Sequence, residues 1–216
     1  MSKSPDQQPK GKTMDGFTRR KEQSKEEIRK AAWELFSQFG VEKVSIVDIA
    51  HKAGVSQATI YNNFGSKEVL VREYVTTMVD QLVNRVQEIL SYDKPYWEKM
   101  AAFIQIIAEM MASGRPSEVE VTGFTNSYAL QNDPEIKKIR ESAQGRMTDL
   151  LLGLIREGKD QGQIHSDISE DALLVYFRAF MDIFIGPQFQ HRYYKDPKLM
   201  PDLGLLMLYG LSGQKK

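Results

Sequence analysis

The sequence predicts an all-α fold of about nine helices, a compact three-helix unit followed by a larger helical body. Three observations carry this reading. Apolar residues recur at steps of three and four through almost the whole chain, the period of one helix face. No stretch alternates apolar and polar residues as a half-buried strand does. The periodic segments are separated by Gly, Pro and the capping types Ser and Asp. The chain has 216 residues, 41% of them hydrophobic and 27% charged, enough for one core or for a small domain joined to a larger one.

Residues 1–22 are rich in Lys, Gln, Ser, Pro and Gly, and read as a disordered basic arm ending in Arg19, Arg20 and Lys21. Ser24 with Glu27 three residues on matches a capping box, and Ile28, Ala31, Ala32, Leu35, Phe36 and Phe39 form the apolar face of a first helix that Gly40 ends. Ser45 and Asp48 start a second helix with Ile46, Ile49, Ala50 and Ala53 inward, ended by Gly54. Ser56 caps a short third helix through Phe64. After Gly65, Ser66 caps a long helix reaching about Leu90. Further helices are expected near 95–112, 118–130, 134–162, 169–185 and 198–211, with Pro134 suited to a first helical position after Asp133. The expected domains are 23–68 for the three-helix unit and 69–216 for the body.

Composition excludes several classes. There is no Cys, hence no disulfide, thiolate metal site or Cys nucleophile. His51, His165 and His191 stand far apart and form no ligand-spaced motif, so no metal or cofactor is expected. Neither a secretory leader nor a membrane span is legible, which points to a cytoplasmic protein away from membranes. Net charge is zero, but through Arg72 there are 13 basic and 9 acidic residues, leaving 16 and 20 in the rest, or +4 against −4. A basic first third suggests an anionic partner for that part alone.

The register of "IVDIAHKAGVSQATIYNNF" is that of a helix-turn-helix. Counting Ile46 as the first position, Ala50 is fifth, where two closely crossing helices demand a small residue. Gly54 is ninth, where the turn needs positive φ. Ile60 is fifteenth and points back into the core. The remaining side of the third helix carries Ser56, Gln57, Ala58, Thr59, Tyr61, Asn62 and Asn63, short groups suited to base edges and phosphates. A capped, solvated surface helix is the plainer alternative for each residue singly.

The stretch "SIVDIAHKAGVSQATIYNNFGSKEVL", with "IRKAAWELFSQFG" before it, resembles the N-terminal domain of the TetR family of bacterial transcriptional regulators. The specific part covers about 50 residues. "GQIHSDISEDAL", from Gly162, is a weaker echo. The resemblance implies a DNA-binding three-helix domain, a double-stranded operator, a small-molecule effector, a homodimer and habitual repression. It implies phosphate contacts from Ser45 and Lys67, base and backbone contacts from Ser56, Gln57, Thr59, Asn62 and Asn63, and a bracing aromatic at Tyr61. Ala58 replaces a common Gly, and Asn62 and Asn63 replace the usual aromatic and His, which alters specificity.

The body is the expected seat of an apolar effector pocket. Candidate lining residues are Met100, Phe103, Met110, Phe124, Tyr128, Met147, Phe177, Phe180 and Met181, types that make adaptable pockets and equally fill ordinary cores. "LGLLMLYGL" is apolar nearly all round, so Leu203, Leu206, Met207 and Leu208, with Leu173 and Phe177, are expected at a dimer seam. The competing classes are an all-α enzyme and a small-molecule binder without DNA affinity. No nucleophile elbow, phosphate-cradling Gly loop or paired His supports the enzyme.

Overall fold

The computed structural model describes residues 16–112 and 132–185, together with residues 198, 202–203 and 205–206. Among the described residues there are seven helices and no strand: α1 (Gly16–Phe39), α2 (Ile46–Ala53), α3 (Gln57–Phe64), α4 (Lys67–Ser91), α5 (Tyr96–Ala112), α6 (Pro134–Asp160) and α7 (Glu170–Ile185). The helices expected at 118–130 and, except for helical residues 202–203 and 205–206, at 198–211 lie outside the described residues.

Helix α1 starts at Gly16, not at Ser24. The proposed capping box is therefore interior helix, and Glu27 accepts from Gln23 Nε2 at 3.1 Å instead of reaching back to Ser24. Residues 16–22, assigned to the arm, form two helical turns, with Lys25 paired to Glu22 at 3.2 Å and Arg20 Nε donating to the Gly16 carbonyl at 3.2 Å. Such local pairs along a run of helix formers extend a helix without tertiary burial. The capping expectations at α2 and α3 hold. Ser45 and Asp48 complete a reciprocal capping box, and the Ser56 hydroxyl accepts from Thr59 N at 3.1 Å. Ser66 occupies the N-cap of α4, but its side chain makes no cap bond.

Two hydrophobic cores are strung along α4 and α6. The first gathers Ile28, Ala32 and Phe36 of α1, Ile49 and Ala50 of α2, and Ile60 and Phe64 of α3. It also takes Leu70, Tyr74, Val75 and Val79 from the first half of α4, and Ile136 from α6. Tyr74 meets Trp33 and Phe36 edge-on, with centroids 5.5 and 5.4 Å away. The boundary expected after residue 68 falls inside this core, which continues along α4 to Val79 and takes in Ile136 of α6. The second core joins Val86, Tyr96, Met100, Phe103, Ile106, Leu154, Ile155, Ile164, Leu173 and Phe177.

Candidate nucleic-acid interface

Helix α2 crosses into α3 through Gly54, whose φ of 67° sits in the left-handed region that the turn requires. Its N–H donates to the last carbonyls of α2, and Val55 N bonds the Ala50 carbonyl at 3.0 Å. Ile60 is fully buried, as its position in the register demands, and Phe64 closes the unit beside it. At a rotation of about 100° per residue, Gln57, Tyr61, Ala58 and Asn62 follow one another along one arc that runs from beside Ile60 to the opposite side of the helix. All four are exposed, Tyr61 at 49%.

The polar residues named from sequence divide into two groups. Ser45, Ser56, Thr59 and Asn63 are engaged within the chain. The Ser45 hydroxyl donates to Asp48 Oδ2 at 2.6 Å, and the Ser45 N–H donates to the same oxygen at 2.8 Å. Those two bonds hold the Asp48 carboxyl below its ordinary value, so a negative charge stands where Ser45 was expected to meet phosphate. The hydroxyls of Ser56 and Thr59 lie 2.9 Å apart, and Asn63 Nδ2 donates to the Thr59 carbonyl at 2.9 Å. In the second group, Gln57 and Asn62 carry exposed amides with no hydrogen bond among the described residues.

Lys67, the first residue of α4, is half-buried. Burial pushes its ammonium down from the ordinary value, while the carboxylates of Glu68, Glu42 and Asp48 pull it up. No ion pair engages it among the described residues. Lys52, by contrast, is paired with Glu34 at 2.8 Å.

Sequence reasoning missed the residues that brace this unit from behind. The guanidinium of Arg29 lies 5.4 Å from the centroid of Phe64, at the end of α3, and its Nε donates to Glu73 of α4 at 2.9 Å. One α1 side chain thereby ties α3 to α4. With partners 35 and 44 positions away in the chain, no local pattern could have shown it.

In the body, Met100, Phe103 and Phe177, nominated as pocket lining, are packed in the second core, with Met147 against it. Met110, Phe180 and Met181 lie on α5 and α7, but their side chains, like Phe124 and Tyr128, fall outside the described residues. Leu173 and Phe177, nominated for the dimer seam, are 2% and 1% exposed inside this same chain, so they have no surface to give a partner. Their places on the outer side of α7 are taken by Val175 and Tyr176. Leu206 is 65% exposed and Leu203 half-buried, whereas Met207 and Leu208 lie outside the described residues. No group of His, Asp and Glu among the described residues could hold a metal, and no described helix is long and apolar enough to cross a membrane.

A helix-turn-helix with a polar outer face, set on a helical body, defines a DNA-binding regulator. The model of the family described as "Bacterial regulatory proteins, tetR family" matches residues 28–74. The nucleoid occlusion factor SlmA of Vibrio atlanticus is 32% identical over 180 residues, 80% of this chain and 89% of that protein. The HTH-type transcriptional repressor KstR2 of Mycolicibacterium smegmatis is 24% identical over 154 residues, 71% of this chain and 74% of that one. Among solved structures, the transcriptional regulator FadR of Bacillus subtilis in complex with stearoyl-CoA superposes with a TM-score of 0.65 at 20% identity, covering 87% of this chain and 99% of that chain. The chain belongs to the TetR family and is a DNA-binding regulator.

Proposed function

We propose that the protein is a homodimeric repressor that leaves a palindromic operator when a small, largely apolar effector enters the body. The observation that carries this is the division of α3 into a buried Ile60–Phe64 side and an exposed arc free of charge. DNA contact falls to Gln57, Ala58, Tyr61 and Asn62 in the major groove and to Lys67 on phosphate. Ser45 and Ser56 support that surface as N-caps, and Thr59 and Asn63 through hydrogen bonds within the α3 segment. Two copies related by a two-fold axis present two such helices to successive grooves about 34–36 Å apart. The copies meet through the outer side of α7, at Val175 and Tyr176, and through Leu206.

The effector sits among the Met and aromatic side chains between α5, α6 and α7. The acyl chain of the stearoyl-CoA held by FadR supports an apolar portion of the ligand, and the repressor role of KstR2 supports this outcome. Footprinting and gel shifts on the protein's own upstream region test the reading, followed by calorimetry of candidate effectors with and without operator. Linkage requires operator to weaken effector binding by the factor by which effector weakens operator binding. Equal effector affinity in both titrations would sink the release mechanism.

The likeness to a nucleoid occlusion factor favours a second reading, in which the protein's DNA binding serves the nucleoid rather than one promoter. Genome-wide mapping of bound sites separates the two: one or a few promoters support the repressor, and dispersed sites away from promoters support the other.

A further inference from the structure

The exposed chemistry of α3 restricts which base pairs it can read. The helix Gln57–Phe64 contains no Arg, Lys, Asp or Glu. Reading guanine directly calls for two donors facing its N7 and O6, the task of Arg or Lys, and reading cytosine calls for a carboxylate accepting from N4. Neither is available. The hydroxyls of Ser56 and Thr59 face one another, and the Asn63 amide is turned back onto the Thr59 carbonyl. What remains outward is two free carboxamides, Gln57 and Asn62, with the Ala58 methyl and the Tyr61 ring between them on one arc. A carboxamide sets an N–H donor and a carbonyl acceptor side by side in one plane. That pattern complements adenine, whose N6 donates and N7 accepts, and it sets an oxygen against an oxygen at guanine O6. An alanine methyl fits the 5-methyl group of thymine.

We infer that α3 selects A·T pairs, with Gln57 and Asn62 each bonded to a separate adenine and Ala58 against a thymine methyl. This assignment rests on α3 being the DNA-reading helix of the preceding section. Gln57, at the start of the helix, and Asn62, five residues on, read different positions, so each half-site carries at least two adenines within the reach of α3. They need not lie on the same strand.

The test uses the full chain in selection from randomised duplexes, followed by titration of the enriched duplex with single-atom base analogues. Replacing each adenine in turn by 7-deazaadenine removes the N7 acceptor and leaves Watson–Crick pairing intact. Two adenines per half-site are expected to respond, each with a loss of roughly two- to tenfold, the effect of one hydrogen bond. The response at one should vanish in Gln57→Ala and at the other in Asn62→Ala. Replacing one thymidine by deoxyuridine should weaken binding to wild type through loss of the methyl contact. An enriched site with G·C pairs under α3 that respond to 7-deazaguanine would overturn the assignment while leaving the DNA-binding reading in place. Indifference to every deaza-purine would do the same. Failure to enrich any sequence would overturn the DNA-binding reading and this assignment together.

Discussion

Arg72 of α4 donates from Nε to Oδ2 of Asp133 at 2.8 Å, while the other oxygen of Asp133 caps α6 through the N–H groups of Glu135 and Ile136 at 2.8 and 3.2 Å. One carboxylate thus fastens the start of α6 to the stretch of α4 that belongs to the DNA-binding core. Ile136, one turn further, is buried in that core. Farther along, Arg146 of α6 meets both Asp80 and Asn84 of α4. Helix α6 therefore reaches from the body into the N-terminal unit alongside α4, so that two helices join the two cores.

Asp133→Asn separates the two tasks of this side chain. Asn caps a helix about as well as Asp, so the cap survives while the charge on Arg72 loses its partner. The expected loss is about 1 kcal/mol by denaturant unfolding, and a double-mutant cycle with Arg72→Gln should recover most of it as coupling. A cycle with no coupling would mean that the pair is incidental.

The same residue sets a pH dependence. Burial raises the Asp133 carboxyl, but the Arg72 bond and the two backbone N–H bonds outweigh it and hold the folded-state value below the ordinary one. A depressed carboxyl stabilises fully above its unfolded value of about 3.9 and loses that contribution as pH falls through the lower folded value. Wild type should therefore lose stability across this acid range more steeply than Asp133→Asn, which has no proton to take up there. Parallel acid-unfolding curves would contradict the assignment.

Ser45→Ala should cost about 1 kcal/mol of stability by opening the capping box of α2. Its effect on operator binding, measured on folded protein, should leave the salt dependence unchanged, since both Ser45 donors are already committed to Asp48. Lys67→Ala should behave in the opposite way. Stability should change little, every sequence should bind more weakly by a similar factor, and the salt slope should fall by ~1.

Gly158→Ala tests the distal end of the body. A Cβ there would lie 2.6 Å from Cε2 of Tyr96 and 2.9 Å from Cδ1 of Ile164. Relieving both contacts displaces a buried ring, at a cost of roughly 1–3 kcal/mol in a thermal or denaturant melt. An unchanged melting temperature would show that α5 can move away freely.

Val175→Glu and Leu206→Glu should yield monomers by light scattering with little loss of monomer fold, because both side chains are exposed in the single chain and a carboxylate is costly only once a partner covers it. Leu173→Glu should unfold the body instead of dissociating it. Dimers surviving both exposed-site substitutions would move the interface elsewhere.

Much of the site was legible in sequence because it is local. The Ser45–Asp48 box, the Gly54 turn and the inward Ile60 all fall within sixteen residues, and short-range sterics and capping dictate them. The first turns of α1 were misread for a related reason. Residues 16 and 18–23 are exposed, so no buried face marks that stretch, and side-chain pairs such as Lys25–Glu22 accompany the helix there.

By itself, then, the sequence determined the all-α class, the three-helix register and the polar character of the α3 surface, since each follows from spacing along one helix or across one turn. The folded structure decided which of those polar groups are free, through bonds of three and four residues' reach that residue type does not dictate. Asn63 and Asn62 are the same residue type side by side, yet one is folded back on Thr59 and the other is open to solvent, because a step of 100° about the helix axis turns one toward the packed side. It also decided that Leu173 and Phe177 face inward, and it brought Arg29 to Phe64 and Arg72 to Asp133. Apolar periodicity shows that a helix has a buried face. Whether that face meets its own chain or another depends on where distant segments pack, which spacing along one helix does not encode.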